Sequence, residues 1–323
     1  MNDRASRFRA GLLATAVALL APGAANAQTT DTALRVGVLP IVDVAPLYLG
    51  MAKGFFKDEH LAIEPVPAQG GGAVAAAVIS GDEQFGYGNV VSMMLAAAHG
   101  LPMVAVTDGS QSIADGHHVN TLLVVSAAGP IKTLHDFNGK TLAVNALNTI
   151  SEIMIKDVLE RRGVDISTVK FVEMPIQDMA AALKTGRIDI AMETEPFLTA
   201  DKNPDGRPMI EPFDSYAKRV TLASYFTSAQ YATDHPDVVA RFRRAMLKSL
   251  AYATDHIDEV RNIIPSYTRI DATTASNMAL VGWSTTIDMP SIEALQSSMM
   301  KQGLLTKDVD LKTLFPASAV AGR

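Results

Sequence analysis

Short apolar runs alternate along this chain with stretches of helical periodicity, and glycines punctuate both. Leu34 to Leu39 reads as a strand. Ala45, Tyr48, Leu49 and Ala52 then fall at i, i+3, i+4 and i+7, one face of a helix that Gly54 stops. Leu61 to Ile63 opens a second strand, Gly72 to Ser80 a helix closed by Gly81, Gln84 to Tyr87 a third strand, Val90 to His99 a helix closed by Gly100, and Met103 to Thr107 a fourth strand. Alternation at this spacing predicts parallel strand–helix–strand units, with helices on both faces of a sheet. Thr121 to Val125 is a longer apolar strand, read as a crossover. The theme then returns: strand Thr141 to Val144, helix Ser151 to Arg161, strand Val169 to Glu173, helix Asp178 to Lys184 and strand Ile188 to Met192. Val220 to Phe226 is a return strand. Helices are predicted over Pro236 to Ala253, His256 to Ile264, Thr273 to Ala279 and Ile292 to Gln302.

The two halves are related. Ala75-Ala76-Ala77-Val78-Ile79-Ser80-Gly81 reappears as Ala180-Ala181-Ala182-Leu183-Lys184-Thr185-Gly186, an offset of 105 residues. Nearly the same offset superposes Arg35 to Leu39 on Thr141 to Val144. Two diverged copies of one α/β unit predict two similar doubly wound lobes with a cleft between them. One crossing in each direction predicts a two-strand hinge, with one lobe over residues 31–120 plus 222–323 and the other over 121–221.

The first residues place the chain outside the cytoplasm. Arg4, Arg7 and Arg9 precede an apolar run from Gly11 to Leu20, and Ala25-Asn26-Ala27 has the small-x-small form of a cleavage site. Residues 1–27 are therefore read as a secretory leader cut after Ala27. The apolar run is too short for a membrane span and ends at Pro22-Gly23. There is no cysteine, so neither a disulfide nor a lipidated cysteine is available. The net charge is −6, and loss of the basic leader makes it more negative. That balance disfavours nucleic acid and anionic lipid as partners.

In doubly wound sheets, ligands meet the loops at the carboxyl ends of the strands, where helix N-termini present unpaired N–H groups. Strand order selects residues 40–46, 68–72, 88–91, 107–111, 145–151 and 193–197. Gln69-Gly70-Gly71-Gly72 either lets backbone N–H groups approach a ligand without a Cβ in the way or is a flexible turn. It lacks the spacing of a phosphate loop. Asn89 either caps the next helix or contacts ligand, and Asn145 and Asn148 bracket the matching entry in the second half. These six loops contain Asp43, Asp108, Glu193 and Glu195 but no lysine or arginine. Either helix N-termini hold an anion, or a ligand presents a donor to a carboxylate; a zwitterion fits both. Glu195 also reads as a favourable acid at a helix start.

Catalytic patterns are lacking. No G-x-S-x-G or H-E-x-x-H occurs, and no cysteine can act as nucleophile or metal ligand. His117-His118 would point to opposite faces of a strand, a poor chelate. Arg241, Arg243 and Arg244 read as a solvated helix face, and the methionines as core filler. No metal or cofactor is expected.

The run Asp43-Val44-Ala45-Pro46-Leu47-Tyr48-Leu49-Gly50-Met51-Ala52-Lys53-Gly54-Phe55-Phe56 resembles the nitrate/sulfonate/taurine-type periplasmic solute-binding proteins, the SsuA/NMT1-like group. Leu134 to Val144, Gly186 to Ala191 and Glu195-Pro196-Phe197 resemble further segments of that family. The resemblance covers about residues 34 to 200, and the C-terminal helices only by length. It implies a type II periplasmic-binding fold whose two lobes close on a small ligand and deliver it to the membrane permease of an ABC importer, with a monomer expected. Family ligand positions map onto Asp43, Val44, Gln69, Gly70, Gly71, Asn89, Asn145 and Glu195; the strand-end rule adds Asp108 and Asn148. Loops without basic residues fit a bare nitrate or sulfonate poorly, and leave aromatic carboxylates and pyrimidines open as ligand classes. The alternative is an enzyme on the same fold acting on a pyrimidine or aromatic molecule, although its cysteine-dependent relatives lack a counterpart here.

Overall fold

A computed structural model describes residues 31–68, 70–115, 118, 120–201 and 205–321. The leader expected over residues 1–27, together with Gln69 and His117, lies outside the described residues. Among the described residues ten strands are formed: β1 (Thr32–Val38), β2 (Leu61–Pro67), β3 (Phe85–Asn89), β4 (Met103–Ile113), β5 (Thr121–Ser126), β6 (Thr141–Val144), β7 (Lys170–Glu173), β8 (Ile190–Thr194), β9 (Gly206–Ile210) and β10 (Arg219–Ser228). The helices in the first part of the chain are α1 (Ala45–Ala52), α2 (Phe55–Asp58), α3 (Gly71–Ser80) and α4 (Val90–Ala98). Between the sheets' crossings lie α5 (Ile150–Arg161), α6 (Ile176–Lys184), α7 (Phe197–Asp201) and α8 (Pro212–Tyr216). The C-terminal set is α9 (Ala229–Asp234), α10 (Pro236–Asp255), α11 (Ile257–Ile263), α12 (Ala272–Asn277), α13 (Met289–Lys301), α14 (Leu311–Leu314) and α15 (Ala317–Val320).

The strands make two five-stranded sheets of matching order, β2-β1-β3-β10-β4 and β7-β6-β8-β5-β9. The correspondence of β1 with β6, β2 with β7 and β3 with β8 is the internal repeat in three dimensions. This is the type II arrangement, with two mixed α/β lobes. At the end of the repeated alanine-rich helices, Gly81 and Gly186 both take left-handed backbone, with φ of +86° and +70°, which lets the chain reverse into β3 and toward β8 without a Cβ clash.

The sheets are not wholly parallel, as the strand–helix alternation had predicted. β10 runs antiparallel to both β3 and β4, and β5 runs antiparallel to both β8 and β9. These long strands carry the chain from one sheet to the other, so each enters its sheet against the grain. β4 continues to Ile113 where a strand ending at Thr107 was expected. The extension, Asp108-Gly109-Ser110-Gln111-Ser112-Ile113, is polar and escapes an apolar-run criterion, yet Asp108, Ser110, Gln111 and Ser112 are buried. β9 and α8 were not foreseen. Arg241 and Arg244 do more than face solvent: they hydrogen-bond to the backbone and carboxylate of Glu59, tying α10 to the end of α2. His118 pairs with Asp115 at 2.8 Å. Among the described residues no helix is long and apolar enough to cross a membrane.

Two apolar cores result, one per sheet, and α5 belongs to both. Its Ile150, Ile153, Met154 and Val158 join the larger core of the first lobe, while Ile155 and Leu159 join the core around β5, β6 and β8. The spacing 150, 154, 158 is one face of a helix, and 155, 159 lies one position round from it. α5 therefore packs on α8 and on α13 of the C-terminal set, while its other side joins the core of the second sheet. Lys301 to Glu160 at 2.6 Å, Gln302 Nε2 donating to the Ile153 carbonyl at 3.0 Å and Arg161 donating to the Tyr216 carbonyl at 3.0 Å reinforce the seam. Ile153 is fully buried at this seam, so Ile153→Ala should cost about 2–5 kcal/mol from lost burial plus the residual cavity. In a urea titration both lobes should unfold in one shifted transition; separation into two transitions would mean that α5 does not couple them.

Candidate functional site

A cleft of about 1040 Å³ opens between the lobes. Its wall takes Asp43, Gly71, Tyr87 and Asn89 from the first sheet's strand ends, Asn145, Thr194 and Glu195 from the second's, and Asn120-Thr121 from the crossover. A third contribution comes from the segment Ser266 to Asp271, between α11 and α12.

Asp43 sits in a short 3-10 turn before α1, half-buried. Ser110 Oγ donates to its Oδ2 at 2.8 Å and the Tyr87 hydroxyl donates to the same oxygen at 3.0 Å. Trp283 Nε1 donates to the Asp43 carbonyl at 2.9 Å and fixes the turn. Burial raises the Asp43 carboxyl above its ordinary value, and the hydrogen bonds from Ser110 and Tyr87 pull it partly back. Burial, and then the Asp43 charge, push the Tyr87 phenol well up, so it stays a donor. Tyr267 stacks on Tyr48 with ring centroids 3.9 Å apart, and its buried hydroxyl has no hydrogen-bond partner.

The helix starts around the cleft differ in how far they are already served. Asn89 caps α4, accepting from Ser92 N at 2.8 Å. Glu195 caps α7, accepting from Thr199 N at 3.1 Å and Thr199 Oγ1 at 2.9 Å. A further bond reaches across the cleft, from Ala279 N to Glu195 Oε1 at 3.1 Å. At α5 the acid is internal: Glu152, buried in the first turn, accepts from Asn148 N at 2.5 Å and pairs with Lys156. Only α3, among these four, begins with neither a side-chain cap nor an acid in its first turn. Its first N–H groups, from Gly71 and Gly72, therefore lack intrahelical partners.

Of the sequence-selected residues, Asp43, Gly71, Asn89, Asn145 and Glu195 line the cleft together. Val44 does not; it is the buried last residue of the 3-10 turn. Gly70 is the extended residue before α3, outside the lining. Asn148, at φ +57°, is exposed behind the rim, and its backbone N–H serves Glu152. Asp108 is fully buried in β4, away from the lining, because β4 continues past it. Glu193 is likewise buried, in β8.

Arg269 was missed by reading only strand ends. It is exposed, lines the cleft, and is the one cation among the described lining residues. Neighbouring Asp271 forms no ion pair with it; its two oxygens accept from Thr273 N, Thr274 N and Thr274 Oγ1 to cap α12. The sequence signal available was a lone basic residue after an aromatic, Tyr267-Thr268-Arg269, between two helices.

A family model described as NMT1/THI5 like matches residues 41–260, more than half of the chain. The chain belongs to the NMT1/THI5-like family. A Bacillus subtilis (strain 168) relative described as an aliphatic sulfonates-binding protein is 22% identical over 278 residues, 83% of this chain and 80% of its own length. The periplasmic aliphatic sulphonate binding protein SsuA from Escherichia coli superposes with a TM-score of 0.71 at 16% identity, covering 87% of this chain and 91% of that one. The alkanesulfonate-binding protein SsuA from Xanthomonas axonopodis pv. citri, bound to MOPS, gives a TM-score of 0.68 at 16% identity, over 88% and 98% of the two chains. These similarities establish the fold of an NMT1/THI5-like protein and its lineage.

Asp108 yields a pH signature independent of ligand. Neither of its oxygens has a hydrogen-bond partner; Gln111, Thr221 and the Ser284 backbone lie near enough to soften the penalty but outside bonding geometry. Gln111 Nε2 is instead directed at the Thr286 carbonyl at 2.7 Å. Burial raises its pKa well above 3.8. The folded state thus holds this proton more tightly than the unfolded chain, and its stabilising share is present below 3.8 and lost as pH rises through the raised folded pKa. Asp108→Asn should flatten the fall of stability with rising pH in urea titrations; an unchanged slope would show Asp108 to be ionised in the fold.

Proposed function

We propose that the chain is an extracytoplasmic solute-binding protein that captures a small polar organic solute between its lobes and delivers it to the permease of an ABC importer. The observation that carries the reading is a cleft walled by polar groups from both lobes and bridged across by the Glu195–Ala279 hydrogen bond. Family membership supports it, and the sulfonate-binding relatives make an organic sulfonate the first ligand class to test. Arg269 and the uncapped start of α3 give a sulfonate somewhere to sit, which the acid-only strand-end loops had left doubtful. A cleft of about 1040 Å³ is large for nitrate, and an organic body would fill it against Tyr267, Phe197 and Phe213.

In this reading the lobes comprise about residues 31–120 plus 222–323 and 121–221, and move as bodies about the paired crossings. The protein works as a monomer, without cofactor or metal, in the compartment to which the leader sends it. Binding involves no chemistry: Glu195 and Asn89 are occupied in holding helix starts, as positioning groups are. Thermal-shift screening of the mature protein against 2-aminoethanesulfonate, alkanesulfonates, nitrate, aromatic carboxylates and pyrimidines tests the reading. A ligand at 100 times its Kd should add about 2.7 kcal/mol of stability and be recovered unaltered. Chemically changed ligand would favour the enzyme alternative, and no response across the panel would contradict solute capture.

A further inference from the structure

Among the polar groups of the cleft wall, two charged ones keep open valences, and they differ in sign. Both side-chain donors to Asp43 reach the same oxygen, Oδ2. No side chain donates to Oδ1, and Asp43 lines the cleft half-buried. The groups around the carboxylate are Tyr87 from β3, Ser110 from β4, and Tyr48, Tyr225 and Tyr267; none is a cation. A carboxylate taken out of water without a counter-charge is costly, and an entering cation removes that cost. Tyr267 lines the same wall, with its hydroxyl buried and unpartnered. Arg269 follows Tyr267 by two residues, which places its Cα within about 7 Å of that of Tyr267. Its guanidinium makes no ion pair or hydrogen bond with the described residues.

Building on the solute-binding reading above, we propose that Asp43 and Arg269 form the specificity pair of the cleft. It takes a small zwitterion whose protonated amine meets the Asp43 carboxylate and whose anionic group meets the Arg269 guanidinium. The pairing explains why the cleft is lined by one cation and a carboxylate with an open oxygen, when a site for a bare anion would not place Asp43 in its wall. Discrimination comes from the amine: an analogue lacking it leaves Oδ1 desolvated and unpaired, which is worse than never approaching it.

Calorimetry on the mature protein with two matched pairs tests this: 2-aminoethanesulfonate against ethanesulfonate, and 3-aminopropanoate against propanoate. The amine-bearing member of a pair should bind roughly 10- to 150-fold more tightly, the span of one charge-assisted hydrogen bond. Asp43→Asn should erase that ratio, Arg269→Gln should weaken both members together, and Tyr87→Phe, which leaves the carboxylate in place, should preserve the ratio. Circular dichroism of each variant checks folding, and the Tyr87→Phe ratio stands even where Asp43→Asn does not fold. Equal binding within both pairs, or equal loss of both members in Asp43→Asn, overturns the specificity pair and leaves solute capture standing. Failure of all four probes while another member of the wider panel binds also overturns the pair alone. Failure of the whole panel overturns the solute-binding reading itself.

Discussion

Helix α5 is buried on two sides by two different cores, and the rest of the architecture depends on that. Ile150, Ile153, Met154 and Val158 are committed to the first lobe's core while Ile155 and Leu159 are committed to the second's. Close-packed interiors do not deform continuously. In the solute-binding function proposed above, the lobes change their mutual angle by turning about α5 and the two crossings, β4 to β5 and β9 to β10. The same helix opens onto the cleft at its start, where Ile150 and Ser151 line the wall. The helix packed into both cores thus also borders the cleft.

The cleft's chemistry follows from which groups the fold has already used. Asn89, Glu195 and Glu152 satisfy helix starts, so their polarity is spent on structure. Glu195 also accepts from Ala279 on the opposite side, so part of the interlobe attraction exists without ligand. Among the groups left for a solute are the bare start of α3, the open oxygen of Asp43 and the guanidinium of Arg269. A wall with this distribution favours a ligand of two different ends over a symmetric anion.

Much of the fold was legible in the sequence because it is written twice. The repeated alanine-rich helix with its terminal glycine, and the strands before and after it, gave the succession of strands and helices in both lobes. The antiparallel insertion of β5 and β10 was not legible, since an apolar run carries no direction. The polar end of β4 was hidden for a related reason: Asp108 to Ser112 look like a loop and are a buried strand. That extension removed Asp108 from the site. Strand-end reasoning found Asp43, Gly71, Asn89, Asn145 and Glu195 in the wall, because helix entries in an α/β sheet are fixed by order. It missed Tyr267 and Arg269, which reach the cleft from a helical connection brought there only by tertiary packing.

In the proposed function, binding turns the two lobes about α5. Ile41 and Leu147 occupy equivalent loops after β1 and β6, and are 38% and 39% exposed. Spin labels at these two positions report the interlobe distance by pulsed dipolar spectroscopy, with 2-aminoethanesulfonate as the first ligand and the best binder from the panel as the second. The account predicts one distance distribution that shortens on saturation, while a pair of labels within one lobe stays fixed. A rim distance unchanged by a ligand that demonstrably binds would contradict it.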